Sequence, residues 1–356
     1  MQRDSEKLNI LSFGAGAIGA YIGGSLALKG HHIVFIERPD VAEYIRANGL
    51  HVTHDSPAQG SVRLDAPAAA FDIVPSVEDA LSFGPFDVGL FALKSFDTRP
   101  ALHPLRAHRG ALPPLLCLSN GVDNEPVIAE VLGADKVIYG TVTTAIGRRA
   151  AGDIIVEKLR GVGVADAHPF SRRLAAAMSE AGLNARLYTE PAAMKWSKML
   201  TNLLANSTSA ILDMTPAEIF AHPGLYRLEV EQLREALRVM AKLEIGVVDL
   251  PKTPVRMLAL GVKMSPVVSR PLLARAVGGG RGAKMPSFHI DLYAGRGQSE
   301  VRYLNGAVVR HGEKVKIATP VNRLLTETLL ALTAKEIPLE TYAHQPEKLL
   351  AKLELT

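Results

Sequence analysis

The 356-residue sequence predicts an α/β protein in two parts, a doubly wound parallel sheet over residues 1–190 and an all-helical domain over 191–356. Three observations lead there. The chain opens on a strand, a glycine-rich turn, a helix and a second strand. Short apolar runs alternating with candidate helices continue to about residue 190, as in a parallel sheet covered on both faces. Beyond Pro191 the apolar spacing is helical almost throughout. A chain of this length is long for one core and comfortable for two.

The first element is read from "LNILSFGAGAIGAYIGGSLALKGHHIVFIER". It gives a strand to Phe13, a turn, a helix to about Lys29 capped by Gly30, and a strand to Glu37, a βαβ unit of Rossmann type. Gly14, Gly16 and Gly19 fit G-x-G-x-x-G in its required context. The first permits the tight turn, the second lets a pyrophosphate approach the backbone, and the third lets helix and strand pack closely. Ala15, Ala17 and Ile18 complete a loop whose N–H groups and helix dipole suit phosphate oxygens. The second strand ends in "ER", where two signals oppose each other. Glu37 suits the ribose hydroxyls of NAD, whereas Arg38 suits the 2′-phosphate of NADP. An exposed strand end would carry the same pair without a ligand.

Further strands follow in "DVGLFALKS", "LLCLSNG" and "KVIYGTVTTAIG", with a helix in "EPVIAEVLG" between the last two. Ligands of such sheets bind beyond the carboxyl ends of the strands, which is where Lys94 and Asn120 stand. "AGDIIVEK" and "GVGVAD" read as an added strand pair, and a helix over 170–181 and the strand "ARLYTE" close this half. In the second half, helices are expected over 192–214, 218–245, 299–311 and 321–334, with a weaker one between 254 and 277. "GGGRGAK", residues 278–284, reads as a flexible connection. Ser299 suits an N-cap, with Glu300 in the first turn and Gly312 at the end of that helix.

Within "KWSKMLTNLLANSTSA", Lys198, Asn202 and Asn206 recur every four residues, so one helix would stack them as a polar ridge between buried leucines. Either the ridge lines a cleft or its asparagines bond to nearby backbone.

Bulk properties narrow the function. One cysteine, Cys117, excludes an intrachain disulfide framework and a thiolate zinc cluster, and no metal-ligand spacing is present among the eleven histidines, so no metal is expected. The +4 formal charge is scattered, and the densest basic stretch, Lys263, Arg270, Arg275, Arg281 and Lys284, lacks interleaved aromatics, which argues against nucleic acid. There is no signal-peptide pattern and no apolar run near the roughly 18 residues of a membrane span, so a cytoplasmic protein is expected, with no membrane partner. The apolar helical half is compatible with a homodimer and equally with internal packing.

Taken in order, GAGAIG, Lys94 in "FALKSFD", "SNG" at 119–121, "KMLTN" at 198–202 with Asn206 after it, and "SEVRYLNG" at 299–306 resemble the ketopantoate reductase (2-dehydropantoate 2-reductase) family over residues 9–330. The resemblance implies NADPH as cofactor, NADH being open because of Glu37, and reduction of a small-molecule 2-keto acid. It implies Lys198 as catalytic acid, Asn202 and Asn206 as substrate holders, Glu300 as support of the site, and Ser287 at the substrate carboxylate. Lys94 and Asn120 would contact cofactor or substrate near the nicotinamide, and Arg38 the 2′-phosphate. Pro216 stands roughly where well-matched members carry another substrate-binding Asn. Two alternatives stay open: a dehydrogenase of another hydroxy or keto acid on the same fold, and a nicotinamide-binding sensor without turnover.

Overall fold

The computed structural model describes residues 7–56, 60–66, 71–265, 269–270 and 284–354. The expected connection at 278–284 lies outside them except for Lys284, as do Arg275, Arg281 and most of the weak helix after Lys263. The chain divides into two compact units: Met1–Asn120, Asn124–Lys195 and Leu250–Thr253 form one, and Gly121–Asp123, Trp196–Asp249 and Pro254–Thr356 the other.

The first unit contains twelve strands among its described residues: β1 (Asn9–Phe13), β2 (His32–Ile36), β3 (Leu50–Ser56), β4 (Gly60–Ala66), β5 (Phe71–Val74), β6 (Val88–Phe91), β7 (Leu115–Cys117), β8 (Val137–Val142), β9 (Ala145–Ala150), β10 (Asp153–Lys158), β11 (Val162–Ala165) and β12 (Ala185–Tyr188). Eight of them form one sheet in the order β12-β11-β8-β7-β6-β1-β2-β5, parallel except where β11 meets β8. Alternate residues of each central strand feed opposite cores. Ile10, Ile33, Phe35, Leu90 and Leu116 pack on one face with the Ala17–Ala27 helix, and Leu11, Val34, Phe91 and Leu115 pack on the other with the Thr98–Leu105 and Asn124–Leu132 helices. That period of two, apolar on both faces, is what a doubly wound sheet requires.

The remaining strands make a second sheet, β4-β3-β10-β9, which corrects the expected pairing of "AGDIIVEK" with "GVGVAD". β10 pairs instead with β9 and β3, while β11 joins β8 and β12. Burial gives the reason. All four residues of β11 are buried and need a place inside the large sheet, whereas β10 alternates and can leave one face outside.

The second unit is helical among its described residues, and none of its helices, nor any in the first unit, is long and apolar enough to cross a membrane. Three expected helices are each broken in two. The 192–214 segment becomes Pro191–Leu203 and Asn206–Leu212, with Ala205 left-handed at φ 52°. The 218–245 segment becomes Pro216–Ala221, opened by a Thr215/Glu218 capping box, and Pro223–Lys242. Proline accounts for this second break: it supplies no N–H to continue a helix and holds His222 at an extended ψ of 120°. The 299–311 segment becomes a 3-10 turn, Glu300–Tyr303, capped by the Ser299 hydroxyl, then Asn305–Lys314, which outlasts Gly312 by two residues.

Candidate active site

In the first unit, the turn between β1 and the Ala17–Ala27 helix has the shape of a dinucleotide cradle. Gly14 is left-handed at φ 95°, and a Cβ on Gly19 would stand 2.0 Å from the Gly14 carbonyl oxygen, so neither position tolerates a side chain without movement of backbone. A Cβ on Gly16 would meet nothing within 4 Å; the space before it is open. The first intrahelical bond runs from Ala20 N–H to the Gly16 carbonyl, which leaves the N–H groups of Ala17, Ile18 and Gly19 ahead of the ladder. A close turn, an open approach and advance donors at the positive end of an eleven-residue helix are what a pyrophosphate fits. These residues therefore suit a bound dinucleotide.

The end of β2 is engaged with that turn. The Glu37 carboxylate accepts the Ala15 N–H at 3.0 Å with one oxygen and the Arg38 N–H at 3.0 Å with the other. The Arg38 side chain is 73% exposed, with Asp40 3.6 Å away.

Lys94 and Asn120 occupy neighbouring loops past β6 and β7, each partly exposed. The loops are laced together. The Ser95 hydroxyl donates to the Asn120 carbonyl at 2.8 Å, the Ser119 hydroxyl to the Leu93 carbonyl at 2.8 Å, and the Asn124 amide to the Asn120 carbonyl at 2.6 Å. Beneath them lies a group that sequence reading missed. The Lys195 ammonium is 2.7 Å from the Glu125 carboxylate and donates to the carbonyls of Ser119 at 2.7 Å and Gly140 at 3.1 Å. Burial pushes the Glu125 carboxyl up against the opposing pull of Lys195, and pushes the neighbouring Cys117 thiol well above its usual range. Burial works against the Lys195 ammonium, yet its acidic neighbours hold its pKa above the ordinary value. The one available signal was a lysine and a glutamate each set into an apolar helix face.

In the second unit, Lys198 stands partly exposed on the Pro191–Leu203 helix, while Ala193 to Ser197 before it and Met199 and Leu200 after it are buried. Thr201 and Asn202, one turn on, are partly exposed as well, so the ridge is present up to that point. Asn206 is displaced by the break at Ala205. Its side-chain amide donates to the Asn202 carbonyl at 3.1 Å, and its oxygen accepts the N–H of Phe288 at 3.1 Å. Asn202, Asn206 and the start of the Ser287–Tyr293 helix are thereby brought together, with the Ser287 residue exposed. Glu300 is 2% exposed in its 3-10 turn. Among the described residues no group of three or more His, Cys, Asp or Glu is placed to hold a metal.

Residues 10–167 match the ketopantoate reductase PanE/ApbA family, and residues 192–333 match its C-terminal domain. A 2-dehydropantoate 2-reductase of Halobacterium salinarum is 30% identical over 338 residues, covering 90% of this chain and 97% of that protein. One from Streptococcus pyogenes serotype M3 is 24% identical over 327 residues, covering 90% and 96%. Among solved structures, a PanE/ApbA family ketopantoate reductase from Ralstonia eutropha superposes with a TM-score of 0.75 at 24% identity, over 92% of this chain and 99% of that one. D-mandelate dehydrogenase in complex with NADH and anilino(oxo)acetate gives 0.73 at 21% identity over the same shares. The glycine turn, the helical second half and matches running through both place the chain in the ketopantoate reductase family, a family of oxidoreductases.

Proposed function

We propose that this chain reduces 2-dehydropantoate, or a closely related branched 2-keto acid, to the 2-hydroxy acid, using NADPH. The observation that carries the reading is Lys198: a partly exposed lysine on an otherwise buried stretch of helix, one turn before Asn202. The relatives named 2-dehydropantoate 2-reductase, matched over nearly their whole length, supply the substrate class.

In this reading the residues up to about 190 hold the nucleotide through the glycine turn, Lys94 and Asn120, with Arg38 at the 2′-phosphate. Residues from 191 on hold the keto acid. The bound cofactor supplies a hydride to the keto carbon. As negative charge develops on the carbonyl oxygen, Lys198 gives it a proton, so the product is the neutral alcohol and the lysine is left as the amine. Asn202, and the Asn206 amide hydrogen not given to the Asn202 carbonyl, orient the substrate with neutral hydrogen bonds that do not compete for the lysine's proton. Ser287 takes the substrate carboxylate, and Glu300 supports the site.

A second reading, NADH in place of NADPH, is favoured by one observation. The Glu37 carboxylate already sits against the Ala15 N–H of the phosphate turn, where its negative charge would oppose a 2′-phosphate and its remaining lone pairs would accept ribose hydroxyls. The decisive experiment follows oxidation of NADPH and of NADH with 2-dehydropantoate and several smaller 2-keto acids, in the wild type and in Lys198→Ala. We expect turnover of the branched acid and a loss of about 10²–10⁴-fold in kcat for the variant; near-normal turnover without Lys198 would remove it from the role.

A further inference from the structure

The break that parts Asn206 from Asn202 is held from outside the helix. Glu229, wholly buried in the Pro223–Lys242 helix, accepts the N–H of Ala205 at 2.8 Å with one oxygen and the hydroxyl of Thr208 at 2.6 Å with the other. Gln232, one turn along, donates its amide to Glu229 at 2.7 Å and to the Leu203 carbonyl at 3.3 Å. Backbone and side-chain groups on both sides of the left-handed Ala205 are therefore gripped by two side chains of one neighbouring helix.

Without that grip nothing in the local sequence calls for a break. Residues 198–212 contain neither glycine nor proline, and a left-handed alanine is disfavoured by its Cβ. An uninterrupted helix would bond the Asn206 N–H to the Asn202 carbonyl and turn the Asn206 side chain loose. In the broken form that carbonyl is taken by the side-chain amide of Asn206, whose oxygen is then free to accept Phe288 N–H beside Ser287. The buried carboxylate thus determines where three proposed substrate residues stand with respect to one another.

We infer that Glu229 is a positioning residue for the keto acid: by holding the Ala205 break it sets the Asn202, Asn206 and Ser287 group, without touching substrate itself. This rests on the reading of those three residues as substrate contacts. Glu235 offers a comparison one step removed from the break. It is just as buried and lies on the same helix, but at the start of the Pro320–Thr333 helix it accepts the N–H groups of Val321 at 2.8 Å and Asn322 at 2.9 Å and the Asn322 side-chain amide at 2.7 Å. Among the described residues it reaches Gln232 and Ser207 only through Asn322 and Asn305.

The test compares Glu229→Met, Glu229→Gln and Glu235→Met in the full chain. Kinetics with 2-dehydropantoate are read beside nucleotide affinity and amide hydrogen exchange. Glu229→Met should raise KM for the keto acid about tenfold or more, leave the nucleotide Kd within about twofold, and expose the amides of Ala205 and Phe288 to exchange. Glu229→Gln, which keeps an acceptor for Ala205, should restore KM to within about threefold of wild type. Glu235→Met should loosen residues 321–322 and lower the melting temperature while leaving KM within about twofold. Should Glu229→Met not fold, Thr208→Val removes a single donor to the same carboxylate and must move KM and Phe288 exchange in the same direction. Equal KM changes in the Glu229 and Glu235 variants, or an unchanged KM and an unchanged Phe288 amide in the Glu229 or Thr208 variant, would overturn the inference. If the wild type reduces no 2-keto acid with either nucleotide, the proposed function fails by itself, and the Phe288 exchange arm still decides whether Glu229 holds the break.

Discussion

Replacing Lys195 with methionine keeps the volume of the side chain and removes its charge from a site where the lysine side chain is 3% exposed and that of its partner Glu125 is 0% exposed. Two consequences follow from the geometry. The carboxylate loses a counter-ion 2.7 Å away, and the carbonyls of Ser119 and Gly140 lose a donor. Stranding one member of a buried pair costs about 3–5 kcal/mol, because the remaining charge keeps its desolvation penalty without its compensation. Burial already pushes the Glu125 carboxyl above its ordinary 4.5, with Lys195 opposing, so the variant should carry it higher still. The sign follows. A carboxyl with a raised folded pKa binds its proton more tightly in the folded chain, so the deficit is smallest below pH 4.5 and grows as pH rises through the folded pKa. Urea unfolding of Lys195→Met, Glu125→Gln and the double variant, at acid and neutral pH, measures this. The double variant should recover at least about 2 kcal/mol relative to the lysine variant at neutral pH, since no buried charge remains. It should not recover nucleotide affinity fully, because Ser119, next to Asn120, still lacks its donor. A Lys195→Met deficit under about 1 kcal/mol, or a double variant no more stable than the single, would refute the reasoning, as an exposed pair behaves in that way.

The cofactor end yields a second test: Arg38→Ala should weaken NADPH about tenfold, the low end of a charge-assisted contact given the exposure of the guanidinium, with little effect on NADH. Equal losses in fluorescence titrations of the two nucleotides would show that Arg38 does not meet the 2′-phosphate, and Glu37→Gln should shift preference the other way. Within the turn, Gly19→Ala forces its methyl to 2.0 Å from the Gly14 carbonyl and should lower both melting temperature and nucleotide affinity, whereas Gly16→Ala, with nothing within 4 Å, should lower affinity alone. Asp123 supplies an acid limb. Burial opposes its ionisation, but hydrogen bonds from His311 at 2.8 Å and Arg310 at 2.6 Å bring its carboxyl down to about 2 from 3.8. That difference is worth about 2 kcal/mol, present in full above pH 3.8 and lost as pH falls toward 2. Stability of Asp123→Asn should therefore fall less steeply over that interval than that of the wild type, when measured by denaturant unfolding against pH.

What was legible in the sequence was local. The glycine turn is written in six consecutive residues whose roles depend on their own backbone and on one strand before and one after, and the structure has Gly14 left-handed and Gly19 against Gly14. The ridge from Lys198 to Asn202 needs only one turn of one helix, and it too is present. What was illegible depends on partners far along the chain. Glu229 lies 24 residues from the Ala205 it holds, Glu125 lies 70 residues before Lys195, and β3 pairs with β10 about a hundred residues later. Proline and capping boundaries were readable in principle, since Thr215, Glu218 and Pro223 carry their instruction in the sequence itself.

The same contrast separates the proposed nucleotide turn from the proposed keto-acid group by what holds each of them. Glycines, whose backbone freedom is intrinsic, shape the nucleotide turn, so its geometry survives changes elsewhere as long as the strand and helix form. The asparagine group depends instead on a buried carboxylate that must find Ala205 N–H, Thr208 and Gln232 at once, and any one of those partners can be lost by a single substitution. Substitutions at Glu229 and its neighbours should consequently alter which keto acid is accepted while leaving nucleotide binding alone. A keto-acid panel run on Thr208→Val and Gln232→Leu is the measurement that bears on this. Parallel loss across every acid and both nucleotides would mean that the network merely holds the helices together, and a changed order of preference among acids at constant nucleotide affinity would mean that specificity resides in the break.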